Sequence, residues 1–291
     1  MTRLPPQTDP PLSPRLTLPT MYDLPSENAE EPGLPDTFHL DQSQLLDITF
    51  SPPNWDIDRL FCAIDLNLYY DVNHPNWYKR PDWFGVVGVP QLYEGRDMRL
   101  SYVIWQEQVS PFVVVELLSP GTEEEDLGQT VSKRGNPPTK WQVYERILRV
   151  PYYIVFSRYT DRVQAFRLTG GHYESTELTE GRLPIPELEL SLGLWRGSYK
   201  NIDRLWLRWM TLDGELIPTG SERAAAAEQL TILAQQRTIL AEQQSAEAQQ
   251  RTILAEQQSA EAQQRATASE ERAERLAAKL RELGLDPEQL A

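Results

Sequence analysis

The amino-acid sequence predicts an α/β protein with a mixed sheet (an α+β arrangement), followed by one long C-terminal helix. Three observations lead to this prediction. Short runs of valine, isoleucine and aromatic residues recur between turns that contain proline or glycine, as is typical of strands. One amphipathic pattern, at 140–148, lies between two of these runs and predicts a helix that crosses between strands. Residues 221–283 are dominated by Ala, Gln, Glu and Arg, which are strong helix formers.

The N-terminal part of the chain is expected to contribute little to the sheet. Residues 1–25 are rich in proline and cannot bury enough apolar surface to offset the entropy of ordering, which predicts disorder. Residues 26–60 contain short apolar pieces, such as Gln44-Leu45-Leu46, that can dock on a core. We therefore predict a core domain over residues 26–210.

Apolar runs along the middle of the chain predict the strands of this domain. They lie at 62–70, 83–89, 100–105, 112–118, 152–157 and 163–168. The turn Thr169-Gly170-Gly171-His172 predicts a hairpin into a further strand at 173–178. Residues 184–194 are expected to form a loop that covers one end of the core. Residues 199–210 are expected to form a short helix or an aromatic-rich packing element.

The tail, residues 221–283, is predicted to be helical because it contains neither proline nor glycine. Residues 235–248 repeat without change as 249–262, and the underlying unit is seven residues long. A heptad unit is typical of a coiled coil, yet the apolar stripe through Ile239 and Ile253 is thin. The pattern fits self-association into a homo-oligomer, and it also fits a single solvated helix.

The charge, the apolar runs and the cysteine count of the sequence limit the classes of function and the partners that can be expected. The 291 residues carry a formal net charge of −15, which is unfavourable for nucleic-acid binding unless basic residues cluster locally. Residues 61–220 hold 17 basic and 21 acidic residues, so the core is close to balance. No apolar run resembles a signal peptide or a membrane span, so a cytoplasmic protein with no membrane partner is expected. The single cysteine, Cys62, excludes an intramolecular disulfide.

Two carboxylates stand at positions of strand-like runs where apolar residues would be expected. Asp82 begins the run Trp83-Phe84-Gly85-Val86-Val87, and Glu116 lies inside Val113-Val114-Val115-Glu116-Leu117-Leu118. Strand side chains alternate, so Glu116 shares a face with Val114 and Leu118. A carboxylate on a half-buried face is costly unless it is paired or bound to a cation. The pair indicates either a site for a hard divalent metal or a hydrogen-bonded structural pair.

A helix after the second run can bring a cation to these carboxylates. Thr139 is a plausible N-cap, and the apolar positions of 141–148 recur with helical spacing. Lys140 and Tyr144 are four residues apart and therefore share one face near the start of the helix. A helix that crosses back between parallel strands would place Lys140 over the carboxylates.

These residues resemble a known family. Pro81-Asp82, then Glu116-Leu117-Leu118-Ser119-Pro120, then Lys140-x-x-x-Tyr144 are similar to the motifs of the Uma2-like restriction-endonuclease family of the PD-(D/E)XK nuclease superfamily. The resemblance covers roughly residues 25 to 200. It implies a PD-(D/E)XK restriction-endonuclease-like core. It departs from most of the superfamily at position 118, where a leucine stands in place of the usual lysine.

The resemblance implies a metal-dependent endonuclease that hydrolyses phosphodiester bonds in DNA. Asp82 and Glu116 match the two acids that bind Mg²⁺ or Mn²⁺, and Lys140 matches the lysine that this family supplies from the following helix. Asp126 matches a further acidic position without an assigned role, and Tyr144 is a possible additional site residue. A second class of function stays open: a non-catalytic interaction protein that retains the nuclease fold and uses the helical tail for assembly or docking.

Overall fold

The computed structural model describes residues 10–20, 23–24, 37–118, 123–130, 132 and 135–284. The chain divides into two compact units, 1–220 and 221–291. In the first unit the helices are α1 (Pro14–Thr17), α2 (Thr37–Thr49), α3 (Ile104–Glu107), α4 (Glu123–Asp126) and α5 (Lys140–Gln142). Helix α5 continues as a π-helical turn over Val143–Ile147. Short 3₁₀ turns cover Ile57–Arg59 and Pro186–Leu188.

Twelve strands form three sheets in the described part of the first unit. They are β1 (Leu60–Ile64), β2 (Leu68–Tyr69), β3 (Tyr78–Lys79), β4 (Trp83–Val87), β5 (Tyr102–Val103), β6 (Val113–Leu117), β7 (Tyr152–Ser157), β8 (Arg162–Thr169), β9 (His172–Thr176), β10 (Arg182–Ile185), β11 (Leu190–Tyr199) and β12 (Ile202–Thr211). The central sheet has the order β1-β4-β6-β7-β8-β9, and only β6 and β7 run parallel within it. The mixed α/β class is therefore confirmed.

The two faces of the central sheet carry separate cores, as strand alternation requires. On one face, Val115 and Ile154 pack with α2 and the sheet β10-β11-β12. On the other face, Val114 and Val155 pack with the helix that begins at Lys140. Glu116 has the parity of Val114, so it points towards that helix.

Several expectations for individual segments were wrong. Residues 62–70 form two separate strands, and 100–105 form a two-residue strand that runs directly into α3. The expected loop at 184–194 contains the end of β10 and the start of β11. Residues 199–210, expected to form a short helix or an aromatic-rich packing element, contain the end of β11 and most of strand β12; β12 pairs with β11 over ten residue pairs. Its tryptophans, Trp206 and Trp209, do pack in the core.

Part of the proline-rich N-terminus, within residues 10–20, contacts helix α3 in the structure. Helix α1 lies in this stretch, with Pro14 at its start. Gln106 Nε2 donates to the carbonyl oxygens of Pro14, Leu18 and Pro19 at 3.0, 2.9 and 3.2 Å. A polar side chain from α3 therefore fixes the segment through its backbone, which needs no apolar burial.

The described part of the second unit is helical: helix α6 spans Gly220–Glu282 and has no buried residue. Ile239 and Ile253 are 54% and 55% exposed. None of the helices in the described ranges is long and apolar enough to cross a membrane.

Candidate active site

Glu116 is completely buried on β6, and each of its oxygens has a partner. Tyr144 Oη donates to Glu116 Oε1 at 2.8 Å, and Lys140 Nζ donates to Oε2 at 3.0 Å. The backbone N–H of Asp82 approaches Oε2 at 3.4 Å. The sequence argument that this carboxylate must be paired is therefore met by groups from a helix and from the neighbouring strand.

Asp82 stands directly before β4 and joins the same group through the backbone of β6. Its Oδ2 accepts a hydrogen bond of 2.6 Å from the N–H of Leu117, the residue after Glu116. Strands β4 and β6 are antiparallel neighbours, and Trp83 lies opposite Val115. The start of β4 and the end of β6 thus meet at one edge of the sheet, which brings Asp82 beside Glu116.

The helix that supplies Lys140 is capped as the sequence predicted. Thr139 Oγ1 accepts from the N–H of Gln142 at 3.3 Å, and Gln142 Oε1 accepts from the N–H of Thr139 at 3.2 Å, a complete capping box. The turn that follows is π-helical and includes Tyr144. Such wide turns are frequent at functional sites. Here the helix presents both Lys140 and Tyr144 to the carboxylate of Glu116.

Asp126 completes the cluster from α4. Its Oδ1 lies 3.0 Å from Lys140 Nζ and forms an ion pair with it. The side chain is buried, and its backbone oxygen accepts from Tyr153 Oη at 2.8 Å. One ammonium group therefore lies between the carboxylates of Glu116 and Asp126, and Asp82 is tied to the adjacent peptide.

The pKa values in the cluster are shifted by burial and by mutual charge. Burial, with a smaller contribution from the Asp126 and Asp82 carboxylates, raises the pKa of Glu116 to about 8, although the Lys140 ammonium group and the hydrogen bond from Tyr144 lower it. Burial also raises the pKa of Asp82, against the opposing effect of Lys140. Burial alone would lower the pKa of Lys140, but the carboxylates of Glu116, Asp126 and Asp82 together raise it. Lys140 is thus held as an ammonium group.

Three supporting residues were not found by sequence reasoning. His39, on α2, has Nε2 2.9 Å from the carbonyl oxygen of Leu117. Glu125 Oε1 accepts from Lys79 Nζ at 3.1 Å and from the N–H of Lys140 at 3.3 Å. The acidic run at 123–126 was a signal for Glu125, but no sequence pattern links His39 or Lys79 to residues so far along the chain. The family resemblance also implies an acid on an early helix; the nearest acids in this sequence, Glu30 and Glu31, lie outside the described residues.

The donor groups suit a hard divalent cation in their chemistry. Asp82, Glu116 and Asp126 supply carboxylate oxygens, which Mg²⁺ prefers. Among the described residues, however, no three His, Cys, Asp or Glu side chains are already arranged as a ligand set. Lys140 Nζ supplies the positive charge between two of the oxygens. A bound cation would therefore compete with this ammonium group.

A mixed central sheet with two acids at one edge and a lysine above them defines a protein of the restriction-endonuclease-like class. The family model Uma2, described as a putative restriction endonuclease, matches residues 16–205, which is more than half of the chain. The chain therefore belongs to the Uma2 family, and the resemblance noted in its motifs is confirmed. A comparison with curated proteins gives no match.

Proposed function

We propose that this protein is a Mg²⁺- or Mn²⁺-dependent endonuclease that hydrolyses phosphodiester bonds in DNA. The observation that carries the proposal is the convergence of Asp82, Glu116 and Lys140 at one edge of the sheet, where Lys140 Nζ lies 3.0 Å from Glu116 Oε2. Membership of the Uma2 family supports the nuclease class. Perturbed acids beside a buried lysine are also typical of catalytic centres.

Each side chain has a distinct role in this proposal. Asp82 and Glu116 would hold the cation, which would polarise a phosphoryl oxygen and make a bound water more acidic. Lys140, kept positive by the carboxylates, would stabilise the negative charge that develops on the phosphoryl group. Tyr144 holds the Glu116 carboxylate in one orientation, and Asp126 holds the Lys140 ammonium group. The last two residues act by positioning.

Cleavage of DNA by the full chain, with and without Mg²⁺ or Mn²⁺, tests this function. Glu116→Gln keeps the shape of the side chain but removes its charge, so we expect loss of both cleavage and calorimetric magnesium binding. Asp82→Ala should have the same effect. Glu145→Gln is the matched control because Glu145 is also buried and hydrogen-bonded, yet it accepts from Trp141 and Tyr173 instead. Equal cleavage by wild type and Glu116→Gln would refute the proposal.

A non-catalytic interaction protein is the second candidate. The position of Lys140 Nζ between two carboxylates favours it, because a buried pair of this kind can also serve as a structural network. Magnesium binding that survives Glu116→Gln, or no binding at all in wild type, would support this reading.

We also propose that α6 joins copies of the chain into a homo-oligomer. The seven-residue unit, the exposed Ile239 and Ile253, and the absence of any buried residue in the helix support this assembly.

A further inference from the structure

A strip of polar side chains continues from Glu116 across β7 and β8, the next two strands of the central sheet. Glu116 pairs with Val155 on β7, and Val155 pairs with Gln164 on β8. In the following row towards the sheet edge, Ser157 pairs with Arg162. Paired residues lie on the same face of a sheet, and residues two apart on one strand share that face. Ser157, Gln164 and Arg162 therefore lie on the face of Glu116, which helix α5 covers.

The packing on this face agrees with the strand registers and shows where the polar strip begins. Phe166, two residues after Gln164, packs on Tyr153 and on Trp141 of α5, with ring centroids 6.1 and 4.8 Å apart. Beyond this aromatic group, towards the start of β8, Gln164 is half-buried and Arg162 is exposed. Among the described residues, no ion pair or side-chain hydrogen bond engages either Gln164 or Arg162.

Arg162 is the arginine of β8 that faces the side of the carboxylate cluster. Arg167, the other arginine of this strand, has the opposite parity and forms an ion pair of 2.9 Å with Glu187. The start of β8 lies beside the end of β7, and β7 ends beside the end of β6, so all three meet at the edge that carries the cluster. Neighbouring strands are about 4.8 Å apart, which places Arg162 roughly 10 Å across the sheet from the end of β6.

We propose that Arg162, assisted by Gln164, binds the phosphodiester backbone of DNA next to the phosphate at the carboxylate cluster. The inference rests on the proposed nuclease function and names residues that hold its substrate. Three carboxylates and one ammonium group leave a surplus of negative charge in the cluster, and the whole chain has a net charge of −15. A DNA strand therefore needs positive charge beside the cluster. The guanidinium group supplies it as a fork of donors that matches phosphate, and the Gln164 amide adds a neutral donor.

The salt dependence of DNA binding measures the contact of Arg162 without any cleavage. The full chain is titrated with a short fluorescein-labelled DNA duplex in EDTA, and anisotropy is followed across a salt series from about 50 to 200 mM. Each phosphate contact adds about 0.9 to the magnitude of the slope of log K against log salt. Arg162→Gln should therefore lower this magnitude by about 1, whereas Arg162→Lys, which keeps the charge, should retain most of it.

Two further variants separate the local contact from the total charge of the chain. Arg196→Gln makes the same change of charge at an exposed position of β11, in the sheet β10-β11-β12, and should leave the slope unchanged. Gln164→Ala removes a neutral donor, so it should weaken binding about 2- to 10-fold at every salt concentration without a change in slope. Wild-type affinity in Gln164→Ala would refute the part assigned to Gln164.

An unchanged slope in Arg162→Gln, an equal loss of slope in Arg196→Gln, or no duplex binding by wild type at low salt would overturn the inference. The nuclease proposal is judged separately, by the effect of Glu116→Gln on metal binding and cleavage. Metal-dependent cleavage by wild type together with an unchanged slope in Arg162→Gln would refute the arginine contact and leave the nuclease function standing.

Discussion

Replacement of Tyr144 by phenylalanine should destabilise the protein by an amount that depends on pH. The change removes the 2.8 Å hydrogen bond to Glu116 Oε1, and both side chains are fully buried. Burial raises the pKa of Glu116 to about 8, so the carboxyl changes from mostly neutral to mostly ionised around that pH. Burial also raises the pKa of Tyr144, so its hydroxyl stays a donor across this range. The acceptor therefore changes its charge while the donor does not.

The magnitude follows from the charge of the acceptor. A hydrogen bond between neutral groups contributes about 0.5–1.5 kcal/mol, and one to a charged group about 1.5–3 kcal/mol. Because the folded-state pKa of Glu116 lies above its ordinary value of 4.5, its protonation stabilises the fold, and this contribution is lost as pH rises through about 8. Because the hydrogen bond from Tyr144 lowers the pKa of Glu116, its removal raises that pKa further. The loss of folding stability with rising pH then continues to a higher pH than in wild type. We expect Tyr144→Phe to cost about 1 kcal/mol near pH 6 and about 2–3 kcal/mol near pH 9.

Urea unfolding of the full chain at the two pH values measures the effect. Tyr153→Phe is the matched control because Tyr153 Oη also donates a buried bond of 2.8 Å, but to the backbone oxygen of Asp126, which does not titrate. That variant should cost about 1 kcal/mol at both pH values. If the two variants show the same pH dependence, Glu116 does not titrate in this range and the reasoning about its burial fails.

Three further predictions test the packing and the division of the chain. Leu45→Ala should lower the free energy of unfolding in urea by about 2–5 kcal/mol, because Leu45 is 0% exposed. Leu40→Ala, at a 38% exposed site on the same helix, should change it by no more than about 0.5 kcal/mol. Equal losses in the two variants would mean that α2 is not a core helix. Gly128→Ala should cost about 1–3 kcal/mol, because φ is +71° and a Cβ would lie 2.6 Å from the Trp141 ring; a neutral result would contradict that backbone conformation. Deletion of residues 221–291 should leave the melting temperature nearly unchanged, because this stretch forms a compact unit separate from residues 1–220. The deletion should also reduce the oligomer size in light scattering; unfolding of the core would show that the tail packs on it.

The elements around the candidate site were predictable because local patterns specify them. Alternation along β6 fixes the face of Glu116, and Thr139 marks the start of the helix that carries Lys140. The four-residue spacing of Lys140 and Tyr144 indicates that both side chains lie on the same face of that helix. These inferences need only the periodicity of one strand and one helix. Because they do not depend on contacts with distant parts of the chain, the positions of Glu116, Lys140 and Tyr144 in the structure agree with them.

Strand β12 shows why other elements could not be predicted. Ile202, Leu205, Trp206 and Trp209 recur at helical spacing, which predicts a short helix, with an aromatic-rich packing element as the alternative. In the structure this segment pairs with β11 along its whole length, so tertiary pairing outweighs the local pattern. Arg208 is 1% exposed and lies 4.6 Å from the ring centroid of Trp195, a pairing that no local pattern signals.

Position 118 holds a leucine, and a lysine reaches the carboxylates from a helix instead. Leu118 has the parity of Glu116 but is buried in the core on that face. A lysine there would have to leave its ammonium group among apolar side chains, which is costly. Lys140 instead enters from the helix that covers the face, and it meets two carboxylates at 3.0 Å. The ammonium group of Lys140 thus reaches the carboxylates while Leu118 stays packed in the core.

The net charge of the carboxylate cluster bears on the proposed binding of a divalent cation. Asp82, Glu116 and Asp126 oppose the single charge of Lys140, so the ionised cluster has a surplus of negative charge. This surplus of negative charge suits a divalent cation. When no such cation is bound, burial and the neighbouring carboxylates keep the pKa of Glu116 high. Addition of Mg²⁺ should therefore release a proton from Glu116 below about pH 8, and the effect should be absent in Glu116→Gln. Calorimetry in buffers of different ionisation enthalpy measures this release. Magnesium binding without proton release near pH 7 would show that Glu116 is already ionised and that Lys140 alone compensates the cluster.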